Sequence, residues 1–417
     1  MFTTFIWIFI SLMLFGFFVE RVLDLLNAKY FDRPIPTIIA AYFSADFQTK
    51  NLDYKKQKQQ FSLINSSISF LATLFFWWWG GFYFLMEIAE GMVASEILQT
   101  LIFFGFLGAL SSILSLPFSY YFNFVLEEKF GFNKMTIKTF LLDLLKSSLL
   151  AIILGGGLIS LVVWVYTSIP DHFWWIVWLL MSIVMVFLSA FYAQLIVPLF
   201  NKQSELEEGE LKSAIQLFAD KADFSLDNIY IMDGSKRSSK ANAYFTGLGR
   251  QKRIVLYDTL VNDLETNEIV AVLAHEIGHY KHRHTFINIS LGIVQTGIML
   301  FILSLFIAPK SDIALLLNQV VAMNPELSNT HFYLGIIGFG IIYSPISMVL
   351  ELLMNMLSRK FEYQADGFAA KLGLGKELKE ALIKLSKNSL NNLTPHPAYV
   401  FMHYSHPPIV KRFEALS

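Results

Sequence analysis

The 417-residue chain has no cysteine, few charges and almost no net charge. Without cysteine there is neither a disulfide nor a thiolate metal site, which leaves His, Asp and Glu as the strong ligands. A net charge of −1 supplies no global field for nucleic acid, and no such partner is expected. Charged residues make up only 16% of the chain against 55% apolar, and mean hydropathy is +0.51. That balance departs from soluble domains and calls for a lipid bilayer. The 40 Phe and 8 Trp suit acyl chains and the membrane interface. The first apolar segment, about residues 2–18, has no positive leader and no small-residue cleavage site before Glu20 and Arg21. It reads as a retained helix.

A helix needs about 20 apolar residues to cross the hydrocarbon core. Seven stretches meet or approach that, near residues 2–19, 61–88, 97–121, 145–168, 173–200, 287–308 and 332–357. The loops after the first and third collect Lys and Arg. The alternate loops at 89–96 and 169–172 have none, and 309–331 has only Lys310. Basic loops mark the cytoplasmic side, which puts the amino terminus outside. Residues 201–285 and 358–417 then share the cytoplasmic side. The expected organisation is a five-helix membrane region (1–200), an insertion (201–285), two further membrane helices (286–357) and a tail (358–417) that completes one small α+β domain.

Within the insertion, Gly209–Asp220 reads as an amphipathic helix. Asn228–Met232, Ala243–Gly247 and Ile254–Tyr257 read as strands. Ile269, Val272, Leu273 and Ile277 recur at helical spacing, so Asn267–Tyr280 is predicted helical, with Thr266 as its N-cap and Glu268 near the positive end of the dipole.

Inside that helix lies His275-Glu276-Ile277-Gly278-His279. A spacing of four stacks both imidazoles on one face, where they can grip one ion, and Glu276 beside them can take a proton from a water. The pattern with a third His ten residues on fails, because position 285 is Thr and position 282 is His; His282 and His284 read as solvated residues at the helix end. Downstream, Glu362 and Asp366 are four apart. Alone they would be a solvated acidic face. With the His pair on the same membrane side, Glu362 can complete a one-Zn²⁺ shell and Asp366 can accept the outer N–H of a zinc histidine.

The sequence resembles the type I CAAX prenyl proteases, integral-membrane zinc peptidases of the gluzincin group. The likeness runs through Glu127-Glu128-Lys129-Phe130-Gly131-Phe132-Asn133-Lys134, Val197 to Lys202, Asp233 to Ser238, Asn242 to Gly247, the zinc helix, and His406-Pro407-Pro408 with Arg412. It implies a mainly α, polytopic fold of seven helices around a chamber, with the small zinc-protease domain at one end. It also implies removal of the last three residues from a substrate whose cysteine is prenylated. Residue by residue, His275, His279 and Glu362 match the metal ligands and Glu276 the base. Asn242 matches the start of a substrate-binding edge strand that continues through Ala243, Tyr244 and Phe245. His406 matches a residue that steadies the oxyanion, and Arg412 one that braces the site.

Two of these roles also follow from the residues. Asn242 to Gly247 is largely apolar and suited to adding a peptide strand, although an ordinary sheet edge looks the same. His406 before two prolines sits on a stiff turn that could aim its imidazole at a developing charge, or simply pack on the surface. Three rivals remain. An HtpX-like quality-control metalloprotease would have fewer spans, an intramembrane protease would bury its His pair in an apolar run, and a non-enzymatic transporter would have no use for Glu276. The expected partners are a peptide or protein substrate and the bilayer, in a bacterial cytoplasmic or endoplasmic reticulum membrane.

Overall fold

The computed structural model describes residues 1–224, 228–246, 253–309 and 311–416; the expected strand end at Gly247 and the loop charge of Lys310 lie outside these. Among the described residues, seven helices are long and apolar enough to cross a membrane. The first five begin with α1 (Phe2–Ala28) and α2 (Ala45–Trp78). They continue with α3 (Glu96–Phe130), α4 (Ile137–Ser168) and α5 (Pro170–Phe200). Their flanks carry largely exposed apolar side chains such as Ile113, Ile152 and Ile153, as a lipid-facing surface does.

The second apolar run differs from its expected limits of 61–88. The helix stops at Trp78, Gly80 takes a left-handed φ of 74°, and a separate helix, Gly81–Met92, follows. Glycine adopts that backbone without a Cβ clash. The buried Trp77 pins the corner by donating from Nε1 to the Val320 carbonyl at 3.0 Å. At its other end α2 begins 16 residues earlier than the apolar run, so its polar half reaches well beyond the hydrocarbon.

The insertion folds as a four-stranded sheet of order β1-β2-β4-β3. Its strands are β1 (Gln203–Glu205), β2 (Asn228–Met232), β3 (Ala243–Thr246) and β4 (Arg253–Tyr257). The three-residue β1 is too short to show a period and was not expected. β2 and β4 run parallel, while β3 pairs antiparallel with β4 alone and forms one edge. Against the sheet pack α6 (Glu210–Lys221) and α7 (Thr266–Lys281). The N-cap of α7 is Glu265, not Thr266, because the Glu268 side chain reaches back to the Glu265 backbone N–H at 2.7 Å. That reciprocal closure satisfies a donor that a threonine one place later would leave open.

After α7 the chain turns through Arg283, which is left-handed at φ 58°, into α8 (His284–Ile307). The last span, α9 (Phe332–Lys371), is 40 residues long. At 1.5 Å per residue it extends about 60 Å, twice the hydrocarbon thickness. The membrane span and the segment carrying Glu362 and Asp366 are therefore one continuous rod. One apolar core joins the insertion to the tail, with Ile254, Leu256, Ile269, Leu273 and Ile277 from the first and Ala369, Leu378 and Ala381 from the second.

Candidate active site

Because α7 and α9 pack side by side, the residues they contribute meet. Their contact is close at Gly278, where a Cβ would lie 3.0 Å from the Ala365 Cα and 3.1 Å from its carbonyl oxygen. His275, one turn earlier, and His279, the next residue, thereby reach Glu362. The two Nε2 atoms are 3.1 Å apart. Glu362 approaches His275 Nε2 at 3.4 Å through Oε2 and His279 Nε2 at 3.2 Å through Oε1. Among the described residues these three form a cluster able to hold a metal ion, with ligand atoms all within 4.8 Å of one another.

The donor set fits a dication on two counts. The Glu362 Oε2 atom is buried with no hydrogen-bond partner, a costly state for a carboxylate unless a cation completes it. Positive charge is also favoured there: burial disfavours a charged His275, but Asp366 and Glu362 outweigh it and hold its pKa up to about 9. Two imidazoles and one carboxylate with an open side are the donor chemistry of a catalytic zinc ion.

The surroundings set the tautomers. His275 Nδ1 lies 2.8 Å from Asp366 Oδ1, and Arg412 grips both oxygens of Asp366, from Nη2 at 2.6 Å and Nε at 2.8 Å. This charge-assisted fork locks the carboxylate that receives the His275 N–H, turning the Nε2 lone pair inward. His284 does the same for the second ring, contrary to its expected solvated position. It is 2% exposed, stacks on Phe361 and sits 2.9 Å from His279 Nδ1 through its own Nδ1. Its Nε2 is 2.8 Å from Gln364 Oε1. An N–H passed from His279 to His284, and from His284 to Gln364, satisfies every nitrogen while leaving His279 Nε2 free. The left-handed Arg283 makes this possible by folding His284 back, a backbone choice with no signature in the hydrophobic pattern; His282 stays exposed as expected.

Glu276 is beside this cluster on α7. Burial pushes its carboxyl above the usual range, while His275 and His279 pull it down. His406 is also brought in: its Nε2 lies 3.3 Å from Glu362 Oε1 although the side chain is 64% exposed. Asn242 precedes the edge strand and its carbonyl accepts from Tyr257 N at 3.0 Å. Ala243, Tyr244 and Phe245 pair with Leu256, Val255 and Ile254, and among the described residues no strand lies on the far side of β3. Two polar ties that the sequence did not suggest fasten this domain to the membrane helices. Arg237 forks onto Asp143 at 2.7 and 2.8 Å, and the Glu127 carboxylate receives Tyr54 and Lys240 at 2.6 and 2.5 Å.

The chain is similar to known proteins along its whole length. Residues 24–202 match the five-membrane-helix N-terminal family of CAAX prenyl proteases, and residues 205–417 match peptidase family M48. CAAX prenyl protease 1 of Saccharomyces cerevisiae is 35% identical over 405 residues, covering 93% of this chain and 89% of that protein. The human CAAX prenyl protease 1 homolog is 35% identical over 359 residues, covering 77% and 72%. The crystal structure of S. mikatae Ste24p superposes with a TM-score of 0.93 at 33% identity, covering 99% of both chains.

Proposed function

Because the chain belongs to peptidase family M48 and carries the membrane region of the CAAX prenyl proteases, we propose that this multi-pass membrane metalloprotease uses zinc on His275, His279 and Glu362 to cleave prenylated proteins near their carboxy terminus. The observation that carries the reading is the convergence of these three side chains around a buried Glu362 Oε2 that makes no hydrogen bond, beside a sheet edge that carries no further strand among the described residues. Zinc, when bound, acidifies the attacking water and polarises the scissile carbonyl.

Glu276 removes the proton of the water and returns it to the leaving amine, a task suited to a carboxyl whose burial raises its basicity. Asp366, held by Arg412, keeps His275 in the ligating tautomer, and His284 does so for His279. The exposed His406 needs only a side-chain rotation away from Glu362 to donate to the tetrahedral oxyanion. The substrate lies as an added strand on β3, from Asn242 through Phe245, with backbone bonds supplying register. In this reading 201–285 and 358–417 act as one catalytic unit on the cytoplasmic side, where the basic loops lie. The seven helices surround a chamber at whose end the unit sits. The match of the five-helix region to the CAAX proteases argues against the quality-control reading.

The test is a purified-protein assay on a farnesylated peptide and its unprenylated counterpart, with and without a zinc chelator. Release of the last three residues should be abolished by the chelator and favour the farnesylated peptide. Chelator-insensitive release would overturn the metal, and equal rates would overturn the prenyl preference.

A further inference from the structure

We propose that the cavity at the start of β3 is the subsite for the terminal carboxylate of the substrate, which Lys58 and Lys55 recognise. The proposal rests on the peptidase reading above and specifies which end of a protein that site accepts.

The cavity encloses about 730 Å³. One wall is Lys240, Ala241 and Asn242, the residues that lead into the edge strand; the facing wall includes Lys55 and Lys58 on α2. Asn391, Asn392 and Tyr404 form a boundary shared with the recess that holds His406 and Arg412. The cavity thus adjoins the catalytic side chains and continues the line of β3 past its first residue.

Its charges do not cancel. Lys240 is matched, with Glu127 at 2.5 Å and Tyr54 Oη at 3.2 Å. Asp24, on the same wall, is matched by Arg21 at 2.9 Å. Lys58 has no hydrogen-bond or ion-pair partner among the described residues; its Nζ lies 5.6 Å from the Tyr54 ring centre. Among the described residues the hydrogen-bond contacts of Lys55 are two neutral oxygens, Phe31 O and Asn392 Oδ1, both at 3.4 Å, beyond ordinary hydrogen-bond length, and its Nζ lies 5.1 Å from the Phe31 ring centre. The two ammonium groups are three residues apart, on one face of α2. Asp32 acts on Lys55 and Glu127 on Lys58 only at longer range; confined positive charge without a directly paired counter-ion selects an anion, and a carboxylate is the anion a peptide carries at its end.

Strand direction places that end here. A peptide pairing antiparallel to β3 enters over the end of the strand and leaves past Asn242, with its carboxy terminus heading for Lys240. Three residues beyond the scissile bond span about 10 Å at roughly 3.3 Å each, which ends the peptide inside this cavity. A longer tail would have to carry neutral backbone past two desolvated ammonium groups.

The experiment compares two farnesylated peptides that differ only in ending as a free acid or a carboxamide. Metal-loaded wild-type protein should favour the acid in kcat/KM by about tenfold or more, mostly through KM, which is the size of one charge-assisted hydrogen bond. Lys58→Gln should shrink that ratio, Lys55→Gln with Lys58→Gln should bring it toward one, and Lys58→Arg should keep it. A lysine that merely supported the fold would lower both rates together and leave the ratio alone. A wild-type ratio near one, or a double variant with the wild-type ratio, overturns the subsite while leaving the peptidase standing. Failure of zinc-loaded wild type to cleave either peptide overturns both.

Discussion

The metal cradle and the lysine cavity are neighbours with opposite imbalances of charge. Around His275 and His279 stand three carboxylates, Glu276, Glu362 and Asp366, with Arg412 as their cationic partner. Across the site three lysines line one cavity, with Asp24 paired to Arg21 and Glu127 paired to Lys240. In the proposed reading a guest completes each surplus, a dication in one case and an anion in the other. They differ in stiffness. His275, His279, Glu362 and Asp366 each meet a further polar side chain, whereas Lys58 has no hydrogen-bond or ion-pair partner among the described residues. The proposed roles match this difference: chemistry that tolerates little displacement on the braced side, and recognition of a substrate tail on the less constrained side.

Removing the cradle's ligands should break the comparison most completely. His279→Ala is expected to lose the metal in elemental analysis and with it all turnover; full metal occupancy would strike it from the ligand set. Glu276→Gln keeps shape and removes the base, so metal content should stay while turnover falls by about 10²- to 10⁴-fold. Surviving turnover would give the proton transfer to another group.

The outer partners should produce a smaller effect, which sharpens the contrast between braced and open. Asp366→Asn leaves the His275 N–H a weaker acceptor and strands Arg412, so metal affinity should fall by about 10- to 100-fold in chelator competition. His284→Ala should fall at the lower end of that range, because its partner on His279 is neutral rather than charged. No change in metal affinity with either variant would mean that tautomer control comes from elsewhere.

The parts of this architecture legible in the sequence were those with a period. Seven apolar runs announced the spans, and the four-residue spacings of His275 with His279 and of Glu362 with Asp366 announced two helical faces that α7 and α9 do bring together. What stayed hidden depends on single backbone choices or on distant pairs. Gly80 ends α2 inside an unbroken apolar run, and Arg283 turns His284 from solvent into the cradle. β1 is too short to carry a pattern. Lys55 and Lys58 looked like two more cytoplasmic loop charges. Only the packing of α2 against the approach to β3 shows that they face a cavity.

The mildest test touches no charge at all. Gly278→Ala should gain about 1 kcal/mol of helix propensity. Its Cβ would meet the Ala365 backbone at 3.0 and 3.1 Å, and hydrogen-bonded backbone within a helix cannot yield as a side-chain tip would. Overpacking of this kind costs about 1–3 kcal/mol, so the contact outweighs the propensity and α7 shifts off α9. His279, the next residue, moves with it, and Glu362 does not. The expected result is a lower Tm and a zinc release rate several-fold faster than wild type. The lysine cavity is bounded by α2 and the approach to β3 rather than by this contact, so the preference for a free carboxylate should persist on the weakened enzyme. If that preference falls with metal retention, the two regions are mechanically one, and the distinction between a braced cradle and an open subsite fails.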